Sequence, residues 1–421
     1  MNGTLTDEAY ARAALTYLVE PADRWLARLI RIHGAATMLD AIKSGRLVNA
    51  VGGDMTGGDT AGGAAELAAA TADGESDPGL PGIPGFPGKA RQAMRAAMER
   101  WRARLAELPA RAEVLAFRDS GIRLICPGDP EWPGQLADLG DSEPYALWLR
   151  GNADLRFSCL RSVAVVGARA ATAYGSYVAA EFAASVAARG WAVVSGAAFG
   201  VDAAAHRGAL GADGVTVAVL ACGVNVPYPA AHAELLAAVA AQGVVVSEWP
   251  PGRHVTRLRF LIRNRVIAAL AAGTLVVEAG ERSGAVNTAR NARDLGRRLM
   301  AVPGPVTSDL SAGCHRVIRE WQGTLVTSAA DVIEQLSPVG APMTAAGGVP
   351  LTEPPPVFPR DLLDLESAQV LDAMPRRGGL STLSVAQRAG LAPATTATRL
   401  GELAAACFVD RCAAGWRLRH A

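Results

Sequence analysis

The sequence predicts an α/β protein built around a doubly wound, mostly parallel sheet. Between Val163 and Leu336, six short apolar runs rich in β-branched residues alternate with alanine-rich stretches of helical length. Such runs are typical of strands buried on both faces of a parallel sheet, and their alternation with helices is typical of doubly wound folds. The predicted strands are Val163–Val166, Ala192–Val194, Val215–Leu220, Val244–Val246, Thr274–Val277 and Leu299–Val302. We therefore expect a Rossmann-like core that binds ligands beyond the carboxyl ends of its strands.

Other segments flank this core, which we assign to residues 109–337. Residues 1–108 predict a helical, SAM-like domain, interrupted at about 51–88 by a glycine- and proline-rich insertion that we expect to be disordered. A proline-rich linker covers 338–364, and 365–421 show the helix, turn, helix and hairpin order of a winged-helix domain. The helical domain is compatible with a contact to DNA backbone and equally with a cap that binds nothing.

Composition leaves the partners open, because 41 Lys and Arg residues nearly cancel 40 Asp and Glu residues. No apolar run reaches membrane-spanning length, and the first residues lack a signal-peptide pattern. The six cysteines show no C-x-x-C spacing. We expect a cytoplasmic protein with no membrane partner and no metal site.

The strongest basic cluster follows the fourth predicted strand. Residues 250–265 hold five arginines and no acidic residue. Arginines of a single sign beside an aromatic residue are typical of a groove for nucleic-acid backbone. The candidate ligands from this segment are Phe260, Arg263, Asn264 and Arg265. We expect Arg263 to contact phosphate from the surface, so that its removal leaves thermal stability almost unchanged.

Three glycine-containing turns supply the other candidate phosphate ligands, because glycines let the backbone approach an anion and helix starts offer free amides. They contribute Gly167, Arg169, Ser195, Gly196, Gly200, Ser283, Gly284 and Thr288. An alternative for Arg169 is an ion pair with a nearby carboxylate. Asp202 and His206 are four residues apart, and we favour a structural bond at the helix start over a catalytic pair, since no nucleophile has a recognisable spacing to them.

Together these turns resemble the DNA-processing protein A family (DprA, also called Smf). The resemblance covers roughly residues 112–336 and rests on ordered motifs: Gly167–Arg169, Ser195-Gly196-x-x-x-Gly200-Val201-Asp202, Tyr228-Pro229, Ser247-Glu248-x-Pro250-Pro251-Gly252, Arg263-Asn264-Arg265, Val277-Glu278-Ala279, Ser283-Gly284 and Ala301-Val302-Pro303-Gly304. It implies a protein that binds and protects single-stranded DNA, forms a homodimer through the Rossmann-like domain, and helps load RecA recombinase in natural transformation and recombination. It implies no cofactor and no catalytic residue.

Two other functions compete with this interpretation. A nucleoside monophosphate phosphoribohydrolase-like enzyme on the same fold would carry a Pro-Gly-Gly-x-Gly-Thr-x-x-Glu stretch at the fifth turn, but Thr288 is followed by Ala289, Arg290 and Asn291. A transcription factor would use the winged helix, yet 365–421 hold seven Arg against four acidic residues, a modest excess. Within that domain, Arg388 and Arg399 are candidates for a second contact with DNA or protein.

Overall fold

The computed structural model describes residues 5–45, 88–337, 363–375, 378–406 and 408–419. The chain forms two compact units, Met1–Ala341 and Pro342–Ala421. Most of the predicted insertion and linker lies outside the described residues. Assignment of 1–108 as a separate SAM-like domain stays a prediction, because these helices belong to the same compact unit as the sheet.

The described part of the first unit contains one nine-stranded sheet in the order β1-β2-β6-β5-β4-β3-β7-β8-β9. Its strands are β1 Ile122–Ile125, β2 Leu147–Gly151, β3 Ser162–Val166, β4 Ala192–Ser195, β5 Thr216–Leu220, β6 Val244–Ser247, β7 Gly273–Val276, β8 Arg298–Ala301 and β9 Thr324–Leu325. Strand β2 pairs antiparallel with β1 and β6, and all other pairs are parallel. The predicted fold class is confirmed, and all six predicted strands are present.

Helices cover both faces of this sheet. Those of the first unit are α1 Asp7–Leu18, α2 Arg24–His33, α3 Ala35–Ser44, α4 Gly88–Ala103, α5 Arg111–Asp119, α6 Leu155–Leu160, α7 Ala173–Ala187, α8 Val201–Gly211, α9 Ala233–Gln242, α10 Arg257–Leu270, α11 Gly284–Asp294, α12 Ala312–Trp321 and α13 Ala329–Leu336. Short 3-10 segments occur at Leu105–Glu107, Gly134–Ser142, Ala230–His232 and Asp309–Ser311. The apolar core on one face joins α7, α8 and α13 to the sheet, and the core on the other face joins α10, α11 and α12.

The N-terminal helices have their own apolar core, which also includes Tyr145. Polar contacts tie these helices to the sheet: Trp148 donates its indole N–H to Thr16 Oγ1 at 3.2 Å, and the Tyr145 hydroxyl donates to the Asp23 carbonyl at 3.1 Å. Strands β1 and β2, absent from the predicted set, supply the antiparallel edge next to these helices.

The second unit contains helices α14 Leu365–Asp372, α15 Thr382–Ala389 and α16 Pro393–Ala405. Strands β10 Val409–Cys412 and β11 Gly415–Leu418 form an antiparallel hairpin after them. Its core gathers Val370, Val385, Leu400, Leu403 and Val409. This element order agrees with the helices and hairpin expected for residues 365–421. Their assignment as a winged-helix domain stays a prediction.

Two negative results apply to the described ranges alone. Every helix there is too short or too polar to cross a membrane. In the same ranges, no three His, Cys, Asp or Glu side chains come together in a way that could hold a metal ion.

Candidate functional site

A cleft of about 960 Å³ opens beyond the carboxyl ends of β3, β4 and β7. Strand order reverses between β3 and β7, because the chain builds the sheet outward from β3 in one direction and then returns to add β7 on its other side. Such a reversal leaves a crevice where neighbouring loops diverge, and ligands of doubly wound proteins bind there. Eight predicted residues line the cleft: Gly167, Arg169, Phe260, Arg263, Asn264, Ser283, Gly284 and Thr288.

The exposed charges that line this cleft are all positive. Arg169, Arg257 and Arg282 are exposed, whereas Asp202, the acidic residue among the lining groups, is buried. No carboxylate pairs with Arg169 in the described part of the chain, so the alternative of an ion-paired Arg169 finds no support. The nearby Glu278 is engaged by Thr172, which donates its amide at 2.9 Å and its hydroxyl at 2.6 Å.

Aromatic rings form one wall of the cleft. The Arg169 guanidinium carbon lies 4.8 Å from the centroid of the Phe260 ring, and the Tyr228 ring lies 5.5 Å from Phe260, centroid to centroid. Tyr228 is 39% exposed. A guanidinium over an aromatic face, with a second ring beside it, offers flat surfaces on which an unpaired base can stack.

Arg263 contributes from below the cleft surface. Its side chain is buried and Nη1 donates to the Val219 carbonyl. A Cβ at Gly196 would overlap this guanidinium, so the glycine makes room for it. Burial lowers the pKa of Arg263 to about 10, and the negative charge of Asp202 opposes that fall. We therefore withdraw the expectation that Arg263 can be removed without loss of stability, because a buried donor is part of the packed core.

Most arginines of the 250–265 segment form ion pairs with carboxylates in the structure. Arg253 contacts Glu107, and Arg259 donates to Glu20 with Nε–Oε2 at 3.0 Å. Arg265 lies in a buried, two-bond ion pair with Glu248, at 2.7 Å for each bond. Glu20 and Glu107 come from distant parts of the chain, whereas Glu248 lies just before the segment. We expected this segment to present unpaired arginines to a ligand, and that expectation is corrected. Arg257 is exposed in the cleft, whereas Arg265 does not line the cleft.

Two further predicted residues build the turn rather than line the cleft. Ser195 is fully buried and its hydroxyl donates to the Val165 carbonyl at 2.7 Å. Gly200 has φ = +75°, and a Cβ there would overlap the carbonyls of Ala168 and Arg169. The turns after β3 and β4 therefore pack backbone against backbone, which explains the glycine.

The start of α11 is fixed by side chains. Ser283 Oγ accepts the Val286 amide at 3.3 Å, and Asn264 Nδ2 donates to the Gly284 carbonyl and to Asn287 Oδ1, each at 3.2 Å. Thr288 Oγ1 also donates to the Gly284 carbonyl at 3.3 Å. The positive end of the helix dipole therefore faces the cleft in a fixed orientation.

The Asp202–His206 pair has no catalytic geometry. His206 Nδ1 bonds to Thr216 Oγ1 at 2.7 Å, and burial lowers the pKa of the imidazole to about 3. Asp202 instead accepts the Gly196 and Ala198 amides at 3.2 and 3.4 Å. These bonds fit the structural interpretation of both residues.

The structure also adds lining residues that were not among the predicted ligands: Arg257, Arg282 and Tyr228. Arg282 directly precedes Ser283, and Arg257 lies within the 250–265 cluster, so both carried a local signal. In the second unit Arg388 is exposed, whereas Arg399 is engaged by Glu366 at 2.9 Å and by Glu402 at 2.7 Å.

Fold and cleft together define a Rossmann-like protein with a basic, aromatic-walled crevice suited to a polyanion. Residues 123–337 match the family model described as "DNA recombination-mediator protein A". The chain belongs to this family.

The relatives agree with this assignment. The chain is 46% identical over 311 residues to the putative DNA processing protein DprA of Mycobacterium tuberculosis, covering 72% of this chain and 78% of that protein. It is 38% identical over 208 residues to DNA processing protein DprA of Streptococcus pneumoniae, covering 49% and 72%. The crystal structure of DNA processing protein A from S. pneumoniae superposes with a TM-score of 0.51 at 34% identity, covering 59% of this chain and 83% of that one.

Proposed function

We propose that the cleft binds single-stranded DNA. The main support for this proposal is that one crevice combines exposed arginines with a stacking surface. The arginines are Arg169, Arg257 and Arg282, and the stacking surface is formed by Phe260 and Tyr228. Arginines neutralise phosphates, and aromatic rings stack on bases that are free of a partner strand. A duplex presents only paired, stacked bases, so it cannot use the aromatic wall.

Binding by backbone and stacking carries little sequence information, because every nucleotide offers the same phosphate and a flat base. The buried Arg263 supports the site by donating to the Val219 carbonyl of β5, and Arg265 supports α10 through Glu248. We leave Arg265 out of the proposed contact set because Glu248 occupies both of its terminal nitrogens.

The test of this function compares single- and double-stranded oligonucleotides of random sequence by fluorescence anisotropy. We expect at least about tenfold tighter binding of the single strand, since stacking contributes about 1–3 kcal/mol per base. Three phosphate contacts predict a log–log salt slope of about −2. Equal affinity for the duplex, or binding that ignores salt, would contradict the proposal.

The family's description as a recombination mediator supports a further step, in which the bound strand passes to a recombinase. We propose RecA as that recombinase, natural transformation as the setting, the cytoplasm as the location, and a homodimer through the Rossmann-like core as the active form. Sedimentation of the purified chain measures the dimer, and RecA filament formation on strands pre-coated with this protein measures loading.

A second prediction separates the two units. A fragment ending at Ala341 should keep most of the affinity for single strands, because it holds the whole cleft. The isolated second unit should bind weakly, since its Arg399 is engaged by acidic neighbours. Titrating both fragments and the intact chain at one ionic strength checks this. Strong binding by the isolated second unit, together with loss of binding by the fragment ending at Ala341, would place the DNA site in the second unit.

A further inference from the structure

Three arginines form a stripe along the exposed face of helix α2, outside the cleft. Arg24, Arg28 and Arg31 are four and three residues apart, so they lie within about 60° of one another around the helix axis. All three are exposed, and we call them the α2 stripe. The opposite face of α2 carries three aliphatic residues that are buried in the core of the N-terminal helices: Leu26, Leu29 and Ile30.

The positive charge of the α2 stripe is only partly compensated. In the described part of the chain, Asp141 is the carboxylate that pairs with the stripe: it contacts Arg31 and lies 3.4 Å from Nη2 of Arg28. These two arginine side chains are 58% and 61% exposed, and ion pairs so open to water contribute little. Arg24 forms no ion pair within the described ranges. The stripe therefore favours a polyanion, whose phosphates can replace Asp141.

The backbone under the α2 stripe is held in place. Asp23 Oδ1 accepts the amides of Trp25 and Leu26, each at 3.1 Å, and so fixes the start of α2. The Tyr145 hydroxyl donates to the Asp23 carbonyl and ties this start to the residue before β2. Only the arginine side chains must therefore be ordered when a ligand binds.

The start of α2 is also connected to the helix that carries Arg257. Glu20 lies four residues before Arg24 and accepts from Arg259 Nε at 3.0 Å, and Arg259 follows Arg257 by two residues on α10. Four residues of chain span at most about 14 Å, which about four stacked nucleotides cover. Glu20 also accepts the indole N–H of Trp249 at 2.9 Å, so donors already engage its carboxylate. The α2 stripe thus continues the positive charge at the edge of the cleft.

We propose that the α2 stripe is a second contact for the single strand that occupies the cleft. The strand passes Arg257 and continues over α2, where the arginines bind its phosphates. At 1.5 Å per residue, Arg24 and Arg31 are about 10 Å apart along α2, the length of about three stacked nucleotides. This inference rests on the proposed function and extends it, because it gives the strand a direction from the cleft toward the N-terminal helices. Short strands occupy the cleft alone, whereas longer ones reach both contacts.

Strand length separates the two contacts experimentally. Oligothymidylates of about 6 and about 20 nucleotides are titrated into the full chain. Replacing Arg24 and Arg28 together by Ala should weaken binding of the longer strand about tenfold, because two charged hydrogen-bond donors are lost. The salt slope of the longer strand should become shallower by about 1.4, the value of two phosphate contacts. Binding of the shorter strand should stay unchanged.

A second variant tests the α2 stripe through a gain of affinity. Asp141→Asn keeps the size of the side chain but removes the carboxylate that competes with phosphate for Arg28 and Arg31. We expect the longer strand to bind about two- to threefold more tightly, and the shorter strand to bind as before. A damaged fold lowers affinity, so tighter binding cannot come from misfolding.

The matched control replaces Arg156 and Arg207 together by Ala. It removes the same two charges from exposed positions on α6 and α8 and should leave both affinities unchanged. Equal losses on both lengths or no loss on the longer strand in the α2 variant, or no gain from Asp141→Asn, would overturn the inference alone. Absence of binding by the unsubstituted protein at either length would overturn the proposed function with it.

Discussion

Replacing Arg265 by Met is expected to lower the free energy of unfolding by about 3–5 kcal/mol. Arg265 is 8% exposed and its partner Glu248 is 3% exposed, with two hydrogen bonds of 2.7 Å between them. Removing the guanidinium leaves a carboxylate in the core without a counter-charge, which costs far more than the pair itself contributes. Urea denaturation followed by circular dichroism measures the loss.

Two variants make this result specific. Arg257→Met lies on the same helix but at an exposed position, so its stability should change by less than about 0.5 kcal/mol. The double variant Arg265→Met with Glu248→Met removes both charges and should recover most of the lost stability. A wild-type midpoint in Arg265→Met would show that the side chain is free, as the sequence alone suggested.

The pH dependence of Arg265→Met has a defined sign. Burial raises the pKa of Glu248, and the Arg265 guanidinium opposes that rise. Without Arg265, the pKa of Glu248 in the folded state lies further above its value in the unfolded state. A carboxyl with a raised folded-state pKa stabilises below its unfolded pKa and loses that contribution as pH rises through the folded value. The deficit of the variant should therefore be large at neutral pH and shrink as pH falls and Glu248 becomes protonated.

Replacing Arg169 and Arg257 together by Ala is expected to lower the affinity for single-stranded DNA about 100-fold at low salt. Each side chain is exposed in the cleft and can supply one charge-assisted bond to phosphate, worth about 1.5 kcal/mol or more. The salt slope should become shallower by about 1.4, because two phosphate contacts are lost. Anisotropy titrations over a range of salt concentrations give both values.

The thermal midpoint of this double variant should stay close to that of the unsubstituted chain. Arg257 has no carboxylate partner in the described residues, and the contact of Arg169 with Phe260 is an exposed one worth about 0.5–1 kcal/mol. Lysine instead of alanine at position 169 keeps the charge but loses the planar stacking group. This change should therefore recover part of the affinity that the double variant loses. Full affinity in the double variant would place the site elsewhere.

Local sequence was sufficient for the sheet wherever a strand is buried on both faces. Val163–Val166 and its five counterparts are continuous apolar runs, and the structure has a strand at each of them. Strands β1, β2 and β9 were missed for a physical reason. They lie at or near the sheet edges, β9 has two residues, and the polar residues in β1 and β2 break the apolar pattern that identifies a buried strand.

Some of the glycine turns, like the buried strands, could be located from the local sequence. Gly167 and Gly284 line the cleft because each directly follows a strand or starts a helix, and both features are visible in a few neighbouring residues. Gly196 and Gly200 were recognised as special positions, but their reasons are tertiary. Gly196 makes room for the Arg263 guanidinium, and Gly200 makes room for the carbonyls of a neighbouring turn.

The sequence by itself thus determined the fold class, the family and the location of the cleft, since each follows from local patterns repeated in a known order. Only the tertiary structure decided which arginines are free. Arg257 and Arg265 lie two turns apart on one helix and look alike in the sequence, yet one is exposed and the other pairs with Glu248. An ion pair depends on distance in space, and only folding brings Glu20 to Arg259, Glu107 to Arg253 and Glu248 to Arg265.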